Sequence, residues 1–158
     1  MAAASPKTNT SSEHYSHIAC CVEESRGSHL ALAEAARLRA VTPGRLSIVH
    51  VFEAVPAALG LQTGRAGLEA WRVVVNDEAE ETMTEWLREL ARATGGDPVM
   101  LHGGSPAAAT ACAWADSEAV DLLVVGGLRG RLDRVLRGDF AGWVVAHARS
   151  PVLVIKSD

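Results

Sequence analysis

The sequence predicts a single α/β domain built on an open five-stranded parallel sheet with helices on both faces. Three observations carry that expectation. Short apolar runs recur along the chain, segments of helical periodicity separate them, and Gly- and Pro-containing turns mark the changeovers. Strands alternating with helices imply a parallel sheet, because each right-handed crossover lays a helix across it. Ligands of such sheets bind at the carboxyl ends of the strands, where the strand order reverses.

The elements follow in order. His17 to Val22 is an apolar run expected to form a buried strand. A Glu-Glu-Ser-Arg-Gly turn leads into a helix over Ser28 to Ala40, stopped by Thr42-Pro43-Gly44. Leu46 to Phe52 is the second strand. Residues 53–68 hold Pro56, Gly60, Gly64 and Gly67 and are expected to form a loop, with the character of a flap. Glu69 to Thr94 is an amphipathic helix. Its apolar face carries Ala79, Met83, Trp86, Leu87 and Leu90, and its solvated face carries Asp77, Glu81, Glu85, Arg88 and Arg92. Gly95-Gly96 ends it. Val99 to His102 is the third strand. Ser105 suits an N-cap and Pro106 the first position of a helix reaching about Glu118. Asp121 to Val125 is the fourth strand, Asp139 to Ala148 the last helix and Val152 to Ile155 the final strand.

Composition narrows the function. A length of 158 residues suits one domain, and 48% hydrophobic residues suffice for a core. The net charge of −4 and a pI near 5.8 argue against nucleic acid as a partner. No apolar run approaches the roughly 18 residues of a membrane span. The N-terminus has no hydrophobic stretch after a basic start, so residues 1–15 are expected to be a disordered tail rather than a secretory signal, and residues 16–158 the domain. Cys20, Cys21 and Cys112 give neither a disulfide framework nor a zinc pattern, and the six histidines show no helical ligand spacing. No metal site is expected, and a reducing cytoplasm fits the cysteine usage.

The chemistry is concentrated in the C-terminal third. After the fourth strand come Gly126, Gly127, Arg129, Gly130, Arg131, Asp133, Arg134, Arg137 and Gly138, ahead of Asp139 at the start of a helix. Glycines past a buried strand let the backbone approach a ligand, and N–H groups at a helix start hold phosphates. That is the layout of a nucleotide site. A P-loop lysine motif is absent. Ser105 lacks the Gly-x-Ser-x-Gly elbow because Ala107 replaces the last glycine. No catalytic residue is assigned.

Taken together, Ile18 to Ser25, Val49-His50-Val51, Gly104-Ser105-Pro106, Asp121 to Gly126 and Ala148 to Ile155 resemble the universal stress protein family over about residues 17 to 156. The resemblance implies the adenine nucleotide alpha hydrolase-like fold and a stress-response module that binds ATP or AMP as a signal, with Mg²⁺ only alongside ATP. It places Cys21, Glu23, Val51, Gly126, Gly127, Arg129, Gly130, Gly138 and Asp139 at the nucleotide. Val51 lies beside the adenine in this reading, and Glu23 stands where the family has an aspartate. The resemblance also implies a homodimer through the last strand, about Pro151 to Lys156, and turnover no greater than weak ATP hydrolysis.

The family's glycine signature is a glycine, two residues, a second glycine, nine residues, then a glycine followed by Ser or Thr, and the chain departs from it. Arg129 stands where the second glycine is expected when counting from Gly126, with Gly130 one place late. Counting from Gly127 makes Gly130 fit but leaves seven residues before Gly138, so the loop is one or two residues short. Gly138 is followed by Asp139 instead of Ser or Thr. An ionised Asp accepts hydrogen bonds but cannot donate one to a phosphate. Like charges about 4 Å apart repel by roughly 1 kcal/mol in water, and more in a drier site. Two roles therefore fit Asp139, a helix N-cap and an altered ligand contact. Two fit the arginines, a solvated face and an anion clamp. Two fit Glu23, a nucleoside contact and a plain turn carboxylate. The alternative function is a dimeric interaction protein that binds no nucleotide and acts through a protein partner.

Overall fold

The computed structural model describes residues 14–53, 65–103, 106–127 and 140–157, with backbone alone for 65–76. Most of the expected N-terminal tail and residues 54–64 of the expected flap lie outside the described residues, as do Ser105, Arg129, Gly130, Gly138 and Asp139.

Five strands form one parallel sheet. They are β1 (His17–Cys21), β2 (Arg45–Phe52), β3 (Asp97–His102), β4 (Leu122–Gly127) and β5 (Val152–Lys156). The helices among the described residues are α1 (Arg26–Ala40), α2 (Arg65–Thr94), α3 (Ala107–Ser117) and α4 (Phe140–His147). The strand order is β3-β2-β1-β4-β5. The chain winds outward from β1 through β2 to β3, then crosses back to place β4 on the other side of β1. The order reverses between β1 and β4, which marks the expected ligand crevice.

Both faces of the sheet are covered, which explains the near-continuous apolar strands. Successive strand side chains alternate between faces. Ile18, Cys20, Leu46, Ile48, Leu122 and Val124 pack with Ala31, Leu32 and Ala35 of α1 and with Leu87 and Ala91 of α2. Ala19, Cys21, Val49, Leu123 and Val125 pack on the other face with Ala108, Ala111, Cys112 and Ala115 of α3 and with Ala141 and Val144 of α4. The alanine-rich faces of α1 and α3 let those helices lie close to the sheet.

Several boundaries differ from the sequence expectation, each for a local reason. α1 starts at Arg26 because Ser25, extended at φ −138° and ψ 155°, caps it by accepting from the Ser28 N–H at 3.2 Å. α2 starts at Arg65, so Gly67 and Leu68 are helical rather than loop. Its buried stripe is Leu87 and Ala91 flanked by Met83, Trp86 and Leu90, whereas Ala79 is exposed. Gly95 ends α2 in the left-handed region at φ 67°, as expected of a C-terminal glycine. β3 begins at Asp97 and tolerates Pro98 because it is an edge strand. Pro106 occupies the N-cap position of α3, extended at φ −85° and ψ 142°, rather than the first helical position. β4 runs to Gly127, since Gly126 and Gly127 pair with Ile155 and Lys156 of β5.

The amino ends of the strands are closed by a polar network centred on His17, which is only 4% exposed. His17 Nε2 lies 2.8 Å from Ser47 Oγ. Its Nδ1 lies 3.0 Å from Arg45 Nη2 and 3.2 Å from the Glu118 carbonyl, and serves only one of them in a given tautomer. Asp121 accepts from the Ser16 and His17 N–H groups at 2.8 and 2.9 Å. Burial lowers the His17 pKa below 6.5, and the neighbouring Arg45 guanidinium adds to that. The neutral ring is thus favoured in the folded chain. Its contribution is fully present above pH 6.5 and is lost as pH falls through the lowered folded value. Urea denaturation midpoints should therefore decline on acidification below 6.5, and His17→Asn should flatten that limb of the profile. An unchanged profile in His17→Asn would remove His17 as its source.

Candidate functional site

The carboxyl end of β1 is where the site is built. α1 reaches the sheet there through facing glycines. A Cβ at Gly126 would lie 2.5 Å from Gly27 C, 2.7 Å from Gly27 O and 2.8 Å from Ser28 N. A Cβ at Gly27 would lie 3.2 Å from Gly127 O. The first turn of α1 thus rests backbone to backbone on the end of β4.

The short link between β1 and α1 is held at successive backbone groups. Val22 N–H donates to the Val49 carbonyl at 2.8 Å. His50 Nδ1 donates to the Val22 carbonyl at 2.8 Å. Glu23 N–H donates to Ser28 Oγ at 3.0 Å, and the Glu23 carbonyl accepts from Ser25 N–H at 2.8 Å. The His50 ring also stands edge-on to Trp86 of α2, with centroids 5.7 Å apart.

Around this link lies a cleft of about 430 Å³. β1 and its exit contribute Cys21, Val22 and Glu23, and Ser28 comes from the first turn of α1. The end of β2 contributes Val49 to Phe52, followed by Glu53. Val125 and Gly126 come from β4, Met83 from α2, Ala107 from α3, and Phe140 and Ala141 from α4. The lining is largely apolar, with a few polar groups at the β1 and β2 exits, as in pockets for small organic ligands. A larger depression of about 510 Å³ runs along Asp77, Glu80, Glu81, Thr84, Glu85 and Arg88. It is the charged outer face of α2, crossed by the Arg88–Glu85 and Arg92–Glu85 ion pairs at 3.6 and 3.0 Å, and it has no part in the crevice.

The cleft brings Cys21, Glu23, Val51 and Gly126 together. Val51 is half-buried, and the Glu23 residue is exposed. Gly127 does not line the cleft. Its missing side chain leaves room for Val154, whose Cγ1 would lie 3.0 Å from a Cβ there. Burial pushes the Cys21 thiol up to about 12, with Cys112 adding to the shift, so Cys21 contributes a protonated, apolar wall and no thiolate. Burial likewise raises Cys20 and Cys112. Sequence reasoning missed Ser28, His50, Phe52, Glu53, Met83 and Phe140 as lining residues. Only His50 carried a signal, through its place before Val51.

A parallel sheet wound outward in both directions from its centre, with a cleft at its switch point, places the chain among the open-sheet α/β proteins. Within that class the chain belongs to the universal stress protein family, whose sequence model matches residues 14–156. No curated protein sequence matches the chain. Among solved structures it is similar to a universal stress protein from Lactobacillus plantarum, at 19% identity and TM-score 0.65, covering 90% of this chain and 98% of that one. It is also similar to one from Archaeoglobus fulgidus solved in complex with dAMP, at 21% identity and TM-score 0.59, covering 90% and 98%. A third similar structure, from Arabidopsis thaliana with AMP bound, is 16% identical at TM-score 0.59, covering 90% and 92%.

The glycine contact has a direct consequence for stability. Gly126→Ala forces α1 away from β4 and should destabilise the fold by roughly 1–3 kcal/mol, read from urea denaturation. A change within about 0.5 kcal/mol would show that the helix retreats freely.

Proposed function

We propose that this chain binds an adenine nucleotide, ATP or AMP, in the cleft between β1, β2 and β4 and acts as a ligand-responsive module. The observation that carries the reading is the cleft itself. It lies at the reversal of strand order, and its volume falls in the roughly 300–1,000 Å³ range of small-ligand pockets. Similar structures solved with dAMP and AMP support adenine as the base. Val51 packs against the base and Glu23 meets the nucleoside. Gly126 and Gly127, with Arg129, Gly130, Gly138 and Asp139 further along the chain, serve the phosphates on the sequence argument alone. Mg²⁺ enters only with ATP. The reading is one of ligand binding, with at most weak ATP hydrolysis.

We further propose a homodimer through β5. Among the described residues this strand is a sheet edge, half-buried from Val152 to Ile155, and its outer backbone groups can pair with another strand. The dimer would serve equally the second reading, an interaction protein that binds no nucleotide, which the short Gly/Arg loop and Asp139 favour. No described helix is long and apolar enough to cross a membrane.

Calorimetric titration with AMP, and with ATP plus Mg²⁺, distinguishes these readings. The nucleotide reading predicts micromolar binding and roughly tenfold weaker binding in Glu23→Gln, the loss of about one charge-assisted hydrogen bond. Sedimentation of the same sample should give twice the chain mass. Binding by Asp139→Ser but not by the natural chain would mean that one carboxylate has closed the site. No binding by either would leave the interaction-protein reading.

A further inference from the structure

Glu23 is exposed and sits in a short turn, yet the backbone around it is firmly held. The Val22–Glu23 peptide has two polar groups, and a side chain takes each. His50 from β2 donates to its carbonyl at 2.8 Å, and Ser28 from α1 accepts from its N–H at 3.0 Å. The Ser25 N–H then holds the Glu23 carbonyl. Glu23 therefore leaves the sheet in one direction, toward the cleft it lines.

Helix capping alone does not account for Ser28. It is the third residue of α1, where a capping-box side chain turns back to the N–H of the N-cap residue. Ser28 Oγ instead takes the N–H of Glu23, two residues further upstream, while Ser25 supplies the cap. Ser28 is 4% exposed and lines the cleft. Its oxygen is used as an acceptor, and its hydroxyl proton has no acceptor among the described residues. Ser28 lines the cleft, so a ligand oxygen or ring nitrogen placed there would meet a hydroxyl that can donate. His50 is constrained as well. A carbonyl only accepts, so Nδ1 carries the proton, and packing against Trp86 fixes the ring plane.

We infer that Ser28 and His50 are the positioning pair that aims Glu23 at the nucleoside end of the ligand, and that Ser28 also donates its hydroxyl proton to that ligand. The inference rests on the nucleotide reading above. It assigns binding roles to residues of α1 and β2 outside the glycine loop. Holding a contact residue in its bound conformation raises affinity by reducing the ordering cost of binding.

AMP titration of the full chain tests this. His50→Phe keeps an aromatic ring beside Trp86 but loses the donor. His50→Asn keeps a donor near the position of Nδ1. His50→Phe and Ser28→Ala should each weaken AMP about 3- to 10-fold, and His50→Asn should recover most of the loss. In a Glu23→Gln background His50→Phe should cost less than about twofold more, because it acts through Glu23. Ser28→Ala should retain part of its effect there through its own contact. Thermal melts confirm that each variant is folded, and should His50→Phe not fold, the positioning role is read from Ser28→Ala costing less in the Glu23→Gln background than in the wild type. Wild-type affinity in both His50→Phe and Ser28→Ala, or full additivity of His50→Phe with Glu23→Gln, would overturn the positioning pair while leaving nucleotide binding intact. Failure of the wild-type chain to bind AMP would overturn the nucleotide reading and this role with it.

Discussion

The close approach of α1 to β4 is the constraint on which the site depends. Gly126 has no room for a side chain because the Gly27 backbone occupies the space. This contact brings the first turn of α1 against the sheet at the point where strand order reverses. Ser28 is thereby within reach of the Glu23 N–H, and the exit of β1 faces the end of β2. The same glycine that sequence reasoning assigns to ligand approach is thus required by the fold before any ligand arrives. The two uses are compatible, since Gly126 also lines the cleft. Packing at this one junction sets the geometry that the ligand would meet.

The sheet is polar at both ends and dry between them. At the amino ends His17, Ser47, Arg45, Glu118 and Asp121 form a closed network that satisfies a buried imidazole. At the carboxyl ends His50, Ser28 and Ser25 hold the backbone around one exposed carboxylate. Between them the central strands carry side chains such as Ile18, Cys20 and Val124 with no exposure at all. The thiols belong to this dry layer, where burial favours the neutral form and removes their nucleophilic character. The polar end with a cleft is the end suited to ligand chemistry; the other holds the strands in register.

Much of the fold was legible in the chain because it depends on local pattern. The runs at His17, Leu46 and Asp121 are buried on both faces and read as strands without partners being known. Gly95 and the Thr42-Pro43-Gly44 turn end helices by local conformational preference. The misses share a different cause. Gly126 and Gly127 read as loop because their pairing with Ile155 and Lys156 is supplied by a distant strand. Local pattern starts α1 at Ser28, whereas Ser25 is the cap and Ser28 Oγ accepts from the Glu23 N–H. The bond from His50 to the Val22 carbonyl joins residues 28 apart. Glu23 and Val51 carry a signal only through the resemblance, and the fold brings them to one cleft. Arg129, Gly130, Gly138 and Asp139 of the Gly/Arg loop lie outside the described residues.

The central claim is that the cleft at the β1/β4 switch point receives the ligand. Backbone amide chemical shifts recorded during AMP addition test it most directly. The account predicts shifts concentrated at Val22 to Ser28, Val51 to Glu53 and Gly126, with little change near His17 and Asp121. Shifts centred on the outer face of α2, or no shifts at saturating AMP, would contradict it.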